Sequence, residues 1–354
     1  MANDVVLYES HVYTEDVRTI VEAPLPWETY RDQRILVTGA SGMIPMYLVG
    51  ALLAANEVHG LNLQVDGLVR NRAKAEARFG KALARSDFQL IARDVSHPAP
   101  IDAYSTIFHG ASPARPVLHS SSPVTTLKAN VLGTIAMLDA LTSGGSFVLL
   151  SSSEVYGAVP GVDLISENDQ GPLEHFAPRA AYSEGKRLAE TAMAAYEAEF
   201  AIRPLALRFG HIYGPGLTLD DGRVQADFLA DVVNHRNVRM MSAGVATRTY
   251  TYVADAARGA FYAHLLGGAS AYNVADPAGH VSIRELAETF AASRPAMNLS
   301  LAFANPDDSR SFSPVPSLGL DSGRLRRLGW EPLVPLAEGI SRTVRAFEEG
   351  PLIN

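Results

Sequence analysis

The sequence contains no cysteine. That excludes disulfides, thiolate nucleophiles and cysteine-bound zinc, and it suits a reducing compartment, so a cytoplasmic location is expected. Long apolar runs are missing as well. The longest, residues 43–55, holds Pro45 and is too short to span a bilayer. Residues 1–14 mix charged with apolar side chains and do not read as a signal peptide. A basic excess is also lacking. Against 30 Lys and Arg stand 38 Asp and Glu, and the resulting −8 is spread along the chain, which argues against a general nucleic-acid surface. Neither a membrane nor a nucleic acid is an expected partner. There is no internal repeat and no low-complexity segment.

What is present is a globular composition, 47% apolar over 354 residues, enough for one large domain or two intimate ones. From Arg34 onward, short β-type runs alternate with helical stretches. Strands are expected at 35–37, 61–69, 88–91, 106–109, 146–150 and 204–208, and helices at 43–55, 127–141 and 180–200. This alternation predicts an α/β fold, a doubly wound parallel sheet with helices on both faces and ligands beyond the carboxyl ends of its strands. After Arg208 the pattern loosens. A loop is expected at 210–218, a helix at 224–234, a strand at 247–253, and a helix at 282–292 opened by Ser282 with Glu285 as a capping box. Residues 306–316 read as loop. The expected organisation is an N-terminal arm (1–33) whose Trp27 packs onto the body. A dinucleotide-binding domain (34–208 plus about 246–268) follows, with a smaller C-terminal substrate lobe (about 209–245 and 269–354) over the cleft.

The chemistry is carried by a glycine turn and a tyrosine–lysine pair. Thr38-Gly39-Ala40-Ser41-Gly42 follows the apolar run Ile35-Leu36-Val37 and opens the next apolar stretch. Strand, tight turn and helix in that order present backbone N–H groups and a helix N-terminus to a phosphate. Gly39, Ser41, Gly42, Met43 and Ile44 are therefore candidate cofactor contacts; the alternative is an ordinary strand-to-helix turn. Pro45 replaces the third glycine of such turns, tolerable in a first helical turn where the N–H has no intrahelical partner. Tyr182 and Lys186 lie four apart in a helical stretch and share one face. A lysine ammonium beside a phenol favours the phenolate, so the tyrosine becomes a usable base below its free pKa of about 10. A dinucleotide cradle with a tyrosine base indicates hydride transfer at an alcohol or ketone.

The second strand runs into Val65-Asp66-Gly67-Leu68-Val69-Arg70-Asn71. An acid at its end would bind a ribose 2′-hydroxyl and indicate NAD, whereas an arginine accepts a 2′-phosphate and indicates NADP. Arg70 falls at that place with Arg72 nearby, while Asp66 comes too early; solvated arginines are the alternative. Asp94, followed by Val95, is placed to meet the adenine rim, or else it caps a turn. Ser151-Ser152-Ser153-Glu154 follows a buried-type strand and so reaches the carboxyl edge of the sheet. There a serine bonds a substrate oxygen and a carboxylate acts as acid or base. A polar loop and a surface charge are the alternatives. His109 and His211 are isolated, and no metal site is expected because nothing completes a ligand set. Arg248, in an apolar strand, suits a diphosphate, or is a surface charge.

Together these motifs resemble the extended short-chain dehydrogenase/reductases of the nucleotide-sugar epimerase/dehydratase group, over about residues 34–347 and including Leu328-Gly329-Trp330-Glu331-Pro332. Three stretches are similar to UDP-glucuronate decarboxylases: His109-Gly110-Ala111-Ser112-Pro113, Ser152-Ser153-Glu154-Val155-Tyr156-Gly157 and Tyr182-Ser183-Glu184-Gly185-Lys186-Arg187. The resemblance implies a Rossmann-type sheet, bound NAD (with NADP left open by Arg70) and a nucleotide-sugar substrate oxidised at C4. Decarboxylation of a uronic acid is the expected reaction. It implies Ser152, Ser153, Glu154, Tyr182 and Lys186 as catalytic residues. His109, Ala111, Asp94, Val95, Tyr182 and Lys186 join the glycine turn as cofactor contacts. Ser112, Ser152, Glu154, His211, Arg248 and Arg310 are the implied substrate contacts. Sugar 4,6-dehydratases carry an aspartate where this chain has Ser153, and simple 4-epimerases need no carboxylate at Glu154. Those two reactions are the near alternatives. A non-catalytic dinucleotide-binding regulator is the alternative of another class, disfavoured by the intact Ser-Tyr-Lys set. His211 stands where most members have an asparagine that touches substrate, and with Pro45 and Arg70 it suggests a shifted substrate. The resemblance also implies a homodimer joined by a four-helix bundle from the helices near 127–141 and 180–200.

Overall fold

The computed structural model describes residues 4–97, 103–113, 115–303, 317–349 and 352–353. The expected arm holds a short strand, β1 (Asp4–Val5), and a helix, α1 (His11–Val21), that the sequence pattern did not reveal. Six of the eleven residues of α1 are β-branched, which lowers intrinsic helix propensity. Packing overrides this: Val12, Tyr13, Val17, Ile20 and Val21 are buried, and Tyr13 donates to the Met46 carbonyl at 2.8 Å. Trp27 does pack onto the body, 4.9 Å from the Phe261 ring.

The chain then runs β2 (Arg34–Thr38), α2 (Met43–His59), β3 (Gln64–Val69), α3 (Arg72–Phe79), β4 (Phe88–Ala92), β5 (Tyr104–His109), α4 (Pro116–Ser121) and α5 (Pro123–Leu138). It continues through β6 (Leu141–Ser152), β7 (Leu164–Ile165), α6 (Ala180–Phe200), β8 (Arg203–Phe209), β9 (His211–Tyr213), α7 (Val224–Val233), β10 (Val238–Met240) and β11 (Thr247–Tyr252). The last elements are α8 (Val253–Leu266), β12 (Ala271–Val274), β13 (His280–Ser282), α9 (Ile283–Ala292), β14 (Leu301–Phe303), β15 (Ser317–Leu320), α10 (Gly323–Arg326), α11 (Leu336–Glu349) and β16 (Leu352–Ile353).

Seven parallel strands form the central sheet in the order β12-β8-β6-β5-β2-β3-β4. Alternate residues feed two separate cores. Ile35, Val37, Phe108 and Val148 join one with α2 and α8; Leu36, Ile107, Phe147 and Leu149 join the other with α5 and α6. The strand order reverses between β2 and β5, where Thr38 lies opposite His109, and a ligand crevice opens at such a point.

A second sheet runs β13-β11-β15-β7, with β9 also paired to β11. Two boundaries therefore differ from expectation. β12 lies beyond residue 268 yet forms the edge of the central sheet, while β11, expected with that domain, is the heart of the second sheet. β9 falls in the expected 210–218 loop because pairing with Tyr250, Thr251 and Tyr252 makes it a strand. The capping box at Ser282 and Glu285 forms as expected. Residues 306–316 lie outside the described residues.

Candidate active site

At the crevice the chain turns sharply on Gly39. Its φ is +65°, and a Cβ there would come 2.8 Å from the Gly110 carbonyl oxygen, so a side chain is excluded twice. No side chain caps α2 at Gly42, which leaves the N–H groups of Met43 and Ile44 available to an anion. Pro45 forfeits no helical bond, and its ring fits because Gly110 opposite it has no Cβ. Buried Thr38 accepts from the N–H groups of Gly110 and Ala111, both at 3.1 Å, so its own proton goes to His109 Nδ1 at 2.8 Å. Burial, aided by Lys186, pushes His109 down to about 3 and keeps it neutral. Arg78, buried on α3, donates to the carbonyls of Ser41 and Gly216 and ties the turn to the loop after β9. The sequence reading missed Arg78; its signal is an arginine on the same helix face as the buried Ala75 and Phe79.

On the β3–β4 side of the crevice the carboxylates are already engaged. Asp66 is internal, paired with Arg34 at 2.7 Å and bonded by Tyr104 at 2.6 Å and Gln89 at 2.9 Å. Asp94 closes a turn, accepting from the N–H of Ser96 at 2.9 Å and its hydroxyl at 2.7 Å. Burial pushes the Asp94 carboxyl up, but the two Ser96 bonds, with His97 and Arg70, bring the net shift down. Val95 packs toward Gly133 of α5. Arg70 is exposed just past the end of β3.

The candidate catalytic side chains gather where β6 meets α6. A 3-10 turn over Ser153–Tyr156 brings Glu154 back toward the helix. Ser183 donates to Glu154 Oε2 at 2.9 Å, and Arg179 pairs with Oε1 at 3.1 Å. Tyr182, between those two residues in sequence, is bonded by Ser152. Burial raises the Tyr182 pKa and Glu154 raises it further; Ser152, Arg223 and Arg179 draw it back without reversing the shift. This corrects the expectation that Lys186 lowers it. The Lys186 ammonium donates instead to the Leu150 carbonyl at 2.7 Å, and burial, opposed by Glu190, pushes it down to about 8. The long lysine stem reaches across to β6.

Four neighbours of Tyr182 went unread in the sequence: Arg179, Ser183, Arg223 and His119. The first two flank Tyr182 at −3 and +1 on one helical stretch, and that spacing was the available signal. His119 gave none. Its ring comes from α4 and lies parallel to the phenol, centroids 4.1 Å apart and planes 8° apart.

At the second sheet, His211 pairs with Tyr250 across β9 and β11, ring centroids 5.5 Å apart. Burial, then Arg248 and Arg223, push His211 down to about 3. Its Nδ1, the Tyr250 hydroxyl and the Ser112 hydroxyl are buried without a hydrogen-bond partner among the described residues. Such atoms cost about 1–3 kcal/mol each unless a ligand meets them. Arg248 is buried on β11 and donates to the Thr247 carbonyl at 2.6 Å. Arg310 lies outside the described residues. Among the described residues no cluster of His, Asp and Glu could hold a metal, and no helix is long and apolar enough to cross a membrane.

A profile of the NAD dependent epimerase/dehydratase family matches residues 35–275. UDP-glucuronic acid decarboxylase 6 of Arabidopsis thaliana is 34% identical over 315 residues, 87% of each chain. UDP-glucuronic acid decarboxylase 1 of Xenopus tropicalis is 31% identical over 330 residues, 92% of this chain and 75% of that one. The UDP-glucuronic acid 4-epimerase of Bacillus cereus, solved with UDP-glucuronic acid and NAD, shares the fold at a TM-score of 0.73 and 21% identity, over 89% of this chain and 99% of that one. By profile, by identity and by the geometry of its glycine turn, this chain belongs to the NAD dependent epimerase/dehydratase family.

Proposed function

We propose that this chain is a lyase that decarboxylates a nucleotide-linked uronic acid, UDP-glucuronate, with NAD held at the Gly39–Gly42 turn. The observation that carries the reading is the Glu154 carboxylate fixed by Arg179 and Ser183 beside Tyr182, with a serine and no aspartate at 153. The relatives named as UDP-glucuronic acid decarboxylases support it.

The glycine turn fits the cofactor, since the uncapped N-terminus of α2 suits a diphosphate. Bound NAD supplies a hydride acceptor for C4 and returns the hydride at the end. Tyr182 takes the C4 hydroxyl proton while Ser152 bonds the same oxygen, and Lys186 holds the nicotinamide ribose. The product of this step is a β-keto acid. Its C5–C6 bond breaks as the electron pair enters the C4 carbonyl, and carbon dioxide leaves. Glu154, with Ser153, works at C5, which must gain a proton. Tyr182 then gives its proton back to O4. Arg248 and Arg310 hold the diphosphate, and Ser112 and His211 line the sugar.

The proposal includes a homodimer in a cytoplasmic setting. Val124, Leu127, Leu132, Ile135 and Leu188 are exposed apolar residues on α5 and α6, a face suited to a second copy. The purified protein, denatured and analysed by mass spectrometry, should release NAD. Given UDP-glucuronate, it should yield carbon dioxide and a UDP-pentose in equal amounts. A product of unchanged mass means epimerisation and one lighter by water means dehydration; either overturns the decarboxylase reading.

A further inference from the structure

We infer that His119 is a substrate-binding residue whose Nδ1 accepts a hydrogen bond from the sugar hydroxyl vicinal to the one Tyr182 deprotonates. This rests on the proposed oxidation at C4. His119 is 2% exposed on α4. Its Nε2 lies 3.0 Å from the Pro113 carbonyl oxygen. A carbonyl only accepts, so Nε2 carries the proton and Nδ1 is a bare lone pair. That lone pair is buried with no partner among the described residues. Turning the ring over would break the Pro113 bond, so the orphan is not relieved from within.

The stack on Tyr182, at 4.1 Å and 8°, puts this unmet acceptor beside the reacting phenol. Burial lowers the His119 pKa, against the pull of Glu154 and with Arg179 and Arg223 adding to the fall, so the ring stays neutral and keeps its lone pair at neutral pH. The Ser112 hydroxyl, on the same segment, is also without a partner. The missing group must be a hydrogen-bond donor that comes up beside the phenol. In a uronic acid oxidised at C4, C5 carries the carboxylate, which leaves the 3-hydroxyl as the vicinal donor.

The experiment is calorimetric titration of the holoenzyme, arrested by Tyr182→Phe so that it binds without turning over (wild type below means His119 intact in this background), with UDP-glucuronate and with its 3-deoxy analogue. Wild type should bind the deoxy analogue about ten- to hundredfold more weakly. His119→Phe keeps the stack and removes the acceptor, so its two affinities should converge. His119→Asn places an amide oxygen near the Nδ1 position and should restore part of the ratio. Equal affinities in wild type, or a His119→Phe protein that keeps the full ratio, overturn the inference. So does a His119→Phe protein that weakens both ligands equally, since His119 would then only pack against Tyr182. A wild-type enzyme that binds neither ligand overturns the proposed substrate, and the assignment with it.

Discussion

Pro45 lies against Gly110, and a Cβ on that glycine would come within 2.8 Å of the proline Cγ. The proline stands where dinucleotide turns carry a third glycine, and the missing space is supplied by the end of β5. Gly110→Ala should therefore destabilise by about 1–3 kcal/mol through overpacking. Pro45→Ala should relieve part of that loss in the double variant. A double-mutant cycle in urea measures the coupling; additive effects would show that Leu150 and the Thr38 carbonyl, both at 3.1 Å, make the clash instead.

Tyr182→Phe should cut turnover by about two to four orders of magnitude while leaving sugar-nucleotide affinity near wild type. Because burial and Glu154 raise the phenol, wild-type activity should climb as pH rises above neutrality. Glu154→Gln removes one of the two raising influences and should move that alkaline limb to lower pH. If Glu154 acts at C5, the same variant should still oxidise C4 and accumulate reduced cofactor, visible by absorbance. A variant blocked before oxidation would take Glu154 away from C5.

Arg78 joins the glycine turn to the Gly216 loop through two carbonyls. Arg78→Lys cannot reach both, since an ammonium lacks the planar fork of donors. NAD affinity of the apo-protein should drop about tenfold, the loss expected for one charge-assisted bond. Unchanged binding would mean that the turn is rigid without this tie.

Besides His119, three histidines are held neutral by their surroundings. Burial is the main cause in each, pushing His109 and His211 down to about 3 and His264 to about 4. Their folded pKa lies below the unfolded value, so the unfolded chain binds more protons. The stability they confer is complete above about pH 6.5 and falls as pH drops toward the folded values, by about 1.4 kcal/mol per unit for each. Asp16 works in the opposite sense. Burial raises it to about 6, against bonds from Tyr252, Tyr47 and Arg342, so its contribution is present below the unfolded value of 3.8 and is lost as pH rises through 6. His211→Asn should flatten the acid limb between about pH 6.5 and 4, read by urea unfolding at stepped pH. An unaltered slope would mean that His211 is protonated in the fold.

Much of this protein was legible in local pattern. A strand covered on both faces must be apolar throughout, so the strands at 35–37, 106–109 and 146–150 could be read directly, as could α6 from its helical spacing. α1 was hidden because its β-branched residues favour extended chain until α2, α8 and α11 pack against it. β9 was hidden because three residues carry no period of their own and depend on β11 for partners.

The sequence by itself determined the parallel sheet, the glycine turn at its switch point and a tyrosine on the helix that follows Glu154. Those features arise from periodicity and turn chemistry within a dozen residues. Only the tertiary structure decided what Tyr182 meets. Glu154 comes from the 3-10 turn after β6, His119 from α4 and Arg223 from the start of α7, and closure of the chain sets their approach to one phenol. It also turned Lys186 toward Leu150, since a flexible stem is directed by whichever buried acceptor lies within reach.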